Sequence, residues 1–387
     1  MNILTSEIIS TLTNIVNSQE FVPLHTPIFK GNEIKYVTDC IKSNFVSSVG
    51  EYTKKFEAQL SEYLGAKRVV LTVNGTSALH VCLMLSGVEA NDEVLMPALT
   101  FVATANAVAY IGATPHFVDV DDASLGVDSI KLSKYLSAIT VIKNGECFNK
   151  DTGKRIKAIV PMHTFGHMSD MDAINAVAGE YFIDVIEDAA ESLGSLYKGK
   201  QSGTLSKLAA LSFNGNKIIT AGGGGAIVTN DDNLADKAVH ITTTAKKPHK
   251  WEYHHDMVGY NYRMPAINAA LALAQLENLD EFLLKKRALA IRYKEAFAKV
   301  AGVKLFMEPE FSQSNYWLNA LILDEGNEQL RDEVLEHTNN NLIMTRPVWD
   351  LLDTLNMYKD SPKMDLTVSR SLAKRIINIP SSAWVGS

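Results

Sequence analysis

RVVLTVNGTSALHVCLMLSGVEANDEVLMP, residues 68–97, decides the fold class. Val69 to Val73 is a short apolar run, Asn74-Gly75 a turn signal, and Thr76 to Ser86 carries a helical pattern. Glu93 to Met96 is a second apolar run, ended by Pro97. Strand, helix, strand in about 30 residues is the βαβ unit, and nearly continuous apolar strands belong to a parallel sheet buried on both faces. The pattern continues outward. Thr104 to Ile111 reads as a helix, Pro115 to Val120 and Ile156 to Pro161 as strands, and Met171 to Ala178 as a helix. Phe182 to Ile186 reads as a strand closed by Glu187-Asp188, and Leu208 to Ser212 and Gly225 to Thr229 as two more. The expectation is an α/β fold: a large domain with a mostly parallel central sheet, residues 1–255, and a smaller C-terminal α/β domain, residues 256–387. In the latter, Pro265 to Lys299 reads as one long helical run and Tyr316 to Leu323 as the clearest strand.

Composition narrows the function classes. A chain of 387 residues with 46% hydrophobic and 21% charged residues is globular rather than disordered or repetitive. Thirty-seven basic against 44 acidic residues give a net charge of −7, so no global positive field attracts nucleic acid or an anionic membrane. Cys40, Cys82 and Cys147 are odd in number and far apart, which argues against a disulfide framework or a cysteine zinc site and for a reducing cytoplasm. The first basic residue is Lys30, so the opening segment lacks the charged start of a signal peptide, and no apolar run approaches the ~20 residues of a bilayer span.

In parallel sheets ligands bind beyond the carboxyl ends of the strands, so the candidate residues are those at strand ends. Asn74-Gly75-Thr76-Ser77 joins a strand to a helix start, where free N–H groups and the helix dipole attract a phosphate; the bland alternative is an ordinary N-cap. Asp188 puts a carboxylate at the rim, or caps the next helix. Lys217, flanked by apolar residues and followed by Gly222 to Gly225, has the setting of a Schiff-base lysine, against the alternative of a solvated loop lysine. His163 follows another strand. His254-His255 is adjacent in sequence, points two ways and lacks a third ligand at suitable spacing, so no metal is expected. There is no G-x-G-x-x-G after a strand and no P-loop, and the glycine run follows Lys217, so those glycines are read as permitting a close backbone approach.

Taken together, Gly75-Thr76-Ser77-Ala78-Leu79, Pro97 to Thr104, Glu187-Asp188-Ala189-Ala190, Ser212-Phe213 with Lys217, and Gly259-Tyr260-Asn261-Tyr262-Arg263-Met264 resemble the DegT/StrS family of nucleotide-sugar aminotransferases. These are pyridoxal-phosphate (PLP) enzymes of fold type I. Phe45 to Gly50 and Thr345-Arg346-Pro347-Val348-Trp349 resemble the branch that aminates C4 of nucleotide-linked 2-acetamido-2,6-dideoxy-4-keto-hexoses. The resemblance implies Lys217 as the Schiff-base lysine and proton shuttle, Asp188 as the partner of the pyridinium nitrogen, Gly75, Thr76 and Ser212 around the phosphate, and Phe101 stacked on the ring. It implies that Asn261 reaches the phosphate of a neighbouring subunit, so that the active unit is a homodimer with shared sites. L-Glutamate is the family's usual amino donor and a nucleotide sugar the acceptor.

Arg346 is a candidate to contact the diphosphate or the donor carboxylate, and His163 the sugar, with a surface salt bridge and a structural hydrogen bond as their plain alternatives. Glu191 stands where many relatives have Gln or His on the cofactor's ring oxygen, which implies that it is protonated or turned away. Gly223 stands where many have Glu. The lysine at position 217, in place of the histidine of the dehydratase branch, favours transamination. The competing readings are a PLP-binding regulator without turnover, an aminotransferase for 3-keto sugars, and an α/β protein with no cofactor.

Overall fold

The computed structural model describes residues 1–386. Its central sheet has seven strands: β1 (Arg68–Thr72), β2 (Glu93–Pro97), β3 (Thr114–Val118), β4 (Ile156–Ile159), β5 (Asp184–Asp188), β6 (Leu208–Ser212) and β7 (Gly225–Thr229), in the spatial order β1-β7-β6-β5-β4-β2-β3. All neighbours are parallel except β7, which runs antiparallel to both β1 and β6. The carboxyl ends of β1 to β6 therefore share one edge. Alternation along the strands sends side chains to two cores. Val70, Ala210 and Ile227 pack with the helix Gly75–Leu85 on one face. Val69, Leu71, Ala209, Leu211, Ala226 and Val228 pack with Glu51–Leu64 and Ala266–Leu276 on the other. A sheet buried on both sides explains why these strands read as unbroken apolar runs.

Most boundaries shift by one to three residues, and three differences have causes. The strand expected over Phe182 to Ile186 begins at Asp184, because Phe182 lies in a left-handed turn at φ 58° and Ile183 N–H still donates to Ala178 O. The long helical run is two helices, Ala266–Leu276 and Leu279–Phe297. It breaks where the Glu277 carboxylate is drawn to Asn32 and Tyr36 and the Asn278 side chain donates to Ala274 O. The strand expected from Tyr316 starts at Asn319, since Tyr316 sits at φ 47°.

A second, antiparallel sheet has β8 (Val303–Leu305), β9 (Asn319–Leu323), β10 (Arg346–Pro347) and β11 (Ile376–Ile379) in the order β8-β9-β11-β10. One of its faces, with Leu321, Leu323, Ile377 and Ile379, buries the N-terminal helix Ile3–Val16 through Leu4, Ile8 and Leu12. The other face, with Ala320 and Ile322, packs through Trp317 and Leu318 against Leu99, Val120 and Phe165 of the large sheet's edge. The core does not change at His255: Ala269, Ala272 and Leu273 beyond it lie under the large sheet, and the N-terminal helix before it lies on the small one.

Asp119, just past β3 and fully buried, ties the two sheets together. Its carboxylate accepts from Lys131 Nζ (2.8 Å), Val368 N (3.1 Å), Ser369 N (2.8 Å) and Ser369 Oγ (2.6 Å), at the start of the helix Thr367–Ala373. Burial alone would raise its pKa; these four hydrogen bonds outweigh burial and hold it below the ordinary aspartate value. A depressed carboxylate stabilises the fold above its unfolded pKa and stops doing so as pH falls through the folded one. Asp119→Ala should cost on the order of 3 kcal/mol, because Lys131 and the helix start lose a buried anion. Urea unfolding at pH 7 measures that loss, and the gap between variant and wild type should shrink as pH drops below about 4.

Candidate active site

The common edge of β1, β2, β5 and β6 encloses a cavity of about 400 Å³. At one end stands the helix Gly75–Leu85. Asn74 caps it, its Oδ1 accepting from Ser77 N at 2.7 Å, while the N–H groups of Gly75 and Thr76, in the first turn, have no intrahelical acceptor. The turn is held by close packing. A Cβ on Gly75 would lie 2.9 Å from Ser212 Cβ, and one on Gly225 would lie 2.5 Å from the backbone of Asn74. Ser212, Thr76 and Gly75 all line the cavity. Donors converging at a helix N-terminus with no room for a side chain are a cradle for a phosphate.

Asp188 ends β5 and is 4% exposed. Its Oδ2 accepts from Thr104 Oγ1 at 2.7 Å and its Oδ1 from Ala190 N at 3.2 Å. Burial raises its pKa despite these bonds and despite the nearby positive charge of Lys217. A buried carboxylate of this kind is suited to a cation that arrives with a ligand, such as a protonated ring nitrogen.

Lys217 reaches the same cavity, its Nζ 3.3 Å from Glu191 Oε1 and 4.0 Å from the centre of the Trp317 ring. Glu191 is buried, and its Oε2 accepts from Phe165 N at 3.0 Å. Desolvation pushes its pKa up to about 7, against the pull of Lys217 and the Phe165 N–H. The side chain is therefore not turned away: it faces the lysine. Phe101, at the start of the helix Val102–Tyr110, is 48% exposed and lines the cavity, its ring 6.2 Å from that of Trp349.

Three expected residues do not meet the cavity of their own chain. His163 is fully buried behind the rim. Its Nδ1 accepts from Ser169 N at 3.2 Å, so Nε2 carries the proton and donates to Glu187 Oε1 at 3.1 Å. Both ring nitrogens are engaged, which corrects the expectation of a sugar contact. Arg346 is exposed on β10, donating to Asn339 Oδ1 and Thr345 O, and does not line the cavity of its own chain. Asn261 is likewise exposed and away from this cavity, paired through its backbone with Thr243. Among the described residues, Lys217 is the one basic side chain on the cavity wall.

The structure adds Thr104, Trp317 and Trp349; Thr104 and Trp349 stand inside stretches that carried the family resemblance but had no role of their own, and Trp317 was not named. Thr104 stands in the first turn of the helix Val102–Tyr110, three residues after its N-cap Phe101, and its place at a helix start on the sheet edge could have marked it. Trp317 comes from the second sheet's side of the chain, and no local pattern announces its approach to Lys217.

Comparison with known proteins agrees with this geometry. The DegT/DnrJ/EryC1/StrS aminotransferase family matches residues 27–386. GDP-perosamine synthase of Escherichia coli O157:H7 is 37% identical, over 94% of this chain and 93% of that protein. UDP-2-acetamido-2-deoxy-3-oxo-D-glucuronate aminotransferase of Pseudomonas aeruginosa is 39% identical over 67% of each. The crystal structure of a DegT DnrJ EryC1 StrS aminotransferase from Brucella abortus superposes with a TM-score of 0.83 at 28% identity, covering 91% of each chain. With a phosphate cradle, a buried carboxylate and a lysine on one wall, and this similarity along nearly its whole length, the chain belongs to the DegT/DnrJ/EryC1/StrS aminotransferase family, PLP-dependent sugar aminotransferases.

Proposed function

We propose that this aminotransferase moves the amino group of L-glutamate to C4 of a nucleotide-linked 4-keto-6-deoxy sugar. The observation that carries the aminotransferase chemistry is the shared cavity of Lys217, Asp188 and the glycine-tight helix start. The C4 position and the deoxy sugar rest on similarity: perosamine is a 4-amino sugar, and the perosamine synthase matches along nearly the full chain. The 3-oxo enzyme matches over two thirds of it. The nucleotide is then GDP or UDP, and a UDP-linked 2-acetamido sugar is the version suggested by Phe45 to Gly50 and Thr345 to Trp349.

The residues present suit PLP. Gly75, Thr76 and Ser212 would hold its phosphate, Phe101 would cover its ring, and Asp188 would face its ring nitrogen. When bound, PLP supplies an electron sink and a carrier for the amino group. The chain supplies the rest. Asp188, kept dry and oriented by Thr104 and Ala190 N–H, keeps a ring nitrogen protonated. The Lys217 amine, when free and unprotonated, would take the proton from the donor's α-carbon at Nζ and carry it to the second carbon that must receive it, with the Glu191 carboxyl group 3.3 Å away to orient the amine. Leu79, Met162, Trp317 and Trp349 exclude water from the same wall.

A phosphate, a donor carboxylate and a sugar diphosphate together carry more negative charge than Lys217, the one basic side chain on the cavity wall among the described residues, can balance. That deficit supports a homodimer in which exposed Asn261 and Arg346 serve a partner's cavity. The free, buried cysteines Cys40, Cys82 and Cys147 fit a reducing, cytoplasmic setting.

Two measurements test the proposal. Asp188→Asn keeps the shape and removes the charge, so glutamate-driven single-turnover rates should fall at least about 100-fold while the thermal midpoint moves little. A rate near that of the wild type would refute the role. In a panel of GDP- and UDP-linked 4-keto-6-deoxy and 3-keto sugars with glutamate, NMR of the product should place nitrogen at C4. Amination confined to C3, or no turnover with any sugar while the PLP-loaded protein stays folded, would reject it in favour of the 3-keto or the regulatory reading.

A further inference from the structure

Trp317 stands among residues that do more than bury an aromatic ring. It is 4% exposed, yet its face meets Lys217 Nζ at 4.0 Å, and its Nε1–H donates to Asn216 O at 2.7 Å, the carbonyl immediately before the lysine. The ring thus contacts both the end and the root of one side chain. The preceding residue, Tyr316, is buried at φ 47°, a conformation that bulky residues rarely adopt and that persists only where the surroundings over-determine it.

Those surroundings are explicit. Asn315 Nδ2 donates to Glu191 O and Leu193 O, each at 2.9 Å, and Asn315 N donates to Ser195 Oγ at 2.9 Å. Asn315 Oδ1 accepts from Trp317 N at 2.7 Å and lies where a Cβ on Gly166 would be, 1.9 Å away, so only glycine fits there. From behind, the fully buried Lys286 donates to Trp317 O at 3.1 Å and to Ser381 O. One strained tripeptide from the second sheet's side therefore grips the backbone of Glu191 and presents a ring to Lys217.

We propose that Trp317 is a positioning residue for Lys217: its indole face, together with the Glu191 carboxyl group, holds the lysine's Nζ in place whenever that amine is not bonded to the cofactor, most strongly when it carries a proton, and its N–H anchors the adjoining backbone. This rests on the aminotransferase reading of the cavity. A desolvated cation over a tryptophan face is bound more strongly than one over any other side-chain ring, and phenylalanine retains part of the effect where an aliphatic side chain retains none.

The test uses the full-length enzyme loaded with pyridoxamine phosphate, a form in which the Lys217 amine is free. Brief treatment with isotopically labelled acetic anhydride, followed by peptide mass spectrometry, gives the acetylation rate of Lys217 relative to the exposed Lys304. Trp317→Leu should raise that ratio about tenfold, and Trp317→Phe, of similar volume but keeping a ring, by less than about threefold. A rise below threefold in Trp317→Leu, or an equal rise in both variants, overturns the proposal. Should near-ultraviolet circular dichroism show Trp317→Leu unfolded, Trp317→Phe decides: below threefold supports the role and threefold or more overturns it. Because pyridoxamine phosphate is added directly, the ratio does not depend on the amino donor or the sugar. The wild-type half-reaction with glutamate, measured in parallel, tests the aminotransferase reading separately.

Discussion

The approach of β7 to the turn after β1 is the constraint on which the site depends. Gly225 lies where any side chain would strike the Asn74 backbone, and Gly75 lies where one would strike Ser212. These two contacts seat the start of the helix Gly75–Leu85 on the sheet edge and aim its unpaired N–H groups into the cavity. They also explain the antiparallel strand. β7 enters the sheet between β1 and β6 at the carboxyl edge, so the segment before it, which carries Lys217, must cross the cavity mouth. Phosphate cradle and lysine are thus consequences of one chain crossing.

The electrostatics follow from burial. Asp188 and Glu191 are carboxylates in a dry wall, and both have pKa values raised by desolvation, the second to about 7. Lys217 is the one cation beside them on that wall among the described residues. Two buried carboxyl groups whose charged forms are disfavoured by desolvation are suited to a further positive charge, which a protonated ring nitrogen at Asp188 would provide. Behind the rim the opposite policy holds: Glu187 accepts from Gly203 N, Leu205 N and His163, so its charge is spent within the fold. Adjacent residues on one strand, Glu187 and Asp188, point to opposite faces, and that alternation separates the structural carboxylate from the one facing the cavity.

The large sheet was legible because its strands are buried on both faces, which writes uninterrupted apolar runs into the sequence, and because strand-end residues are local to those runs. The phosphate turn and Asp188 could be placed at the sheet edge for that reason, whereas the roles of these residues and of Lys217 came from the family resemblance and not from the strand pattern. His163 misled because strand-end position says nothing of direction: its ring turns back toward Glu187 rather than out to the cavity. The single helix expected over Pro265 to Lys299 ignored Glu277, whose partners Asn32 and Tyr36 lie over 240 residues away. Trp317 was invisible for the same reason, since its meeting with Lys217 spans about a hundred residues and depends on the docking of one sheet against the other.

Lys217, on the cavity wall, is proposed to carry the cofactor and move the proton. Borohydride reduction of the PLP-loaded protein followed by peptide mapping tests this most directly. The pyridoxyl group should be found on Lys217 alone. A group fixed to any other lysine, with Lys217 unmodified, would contradict the account.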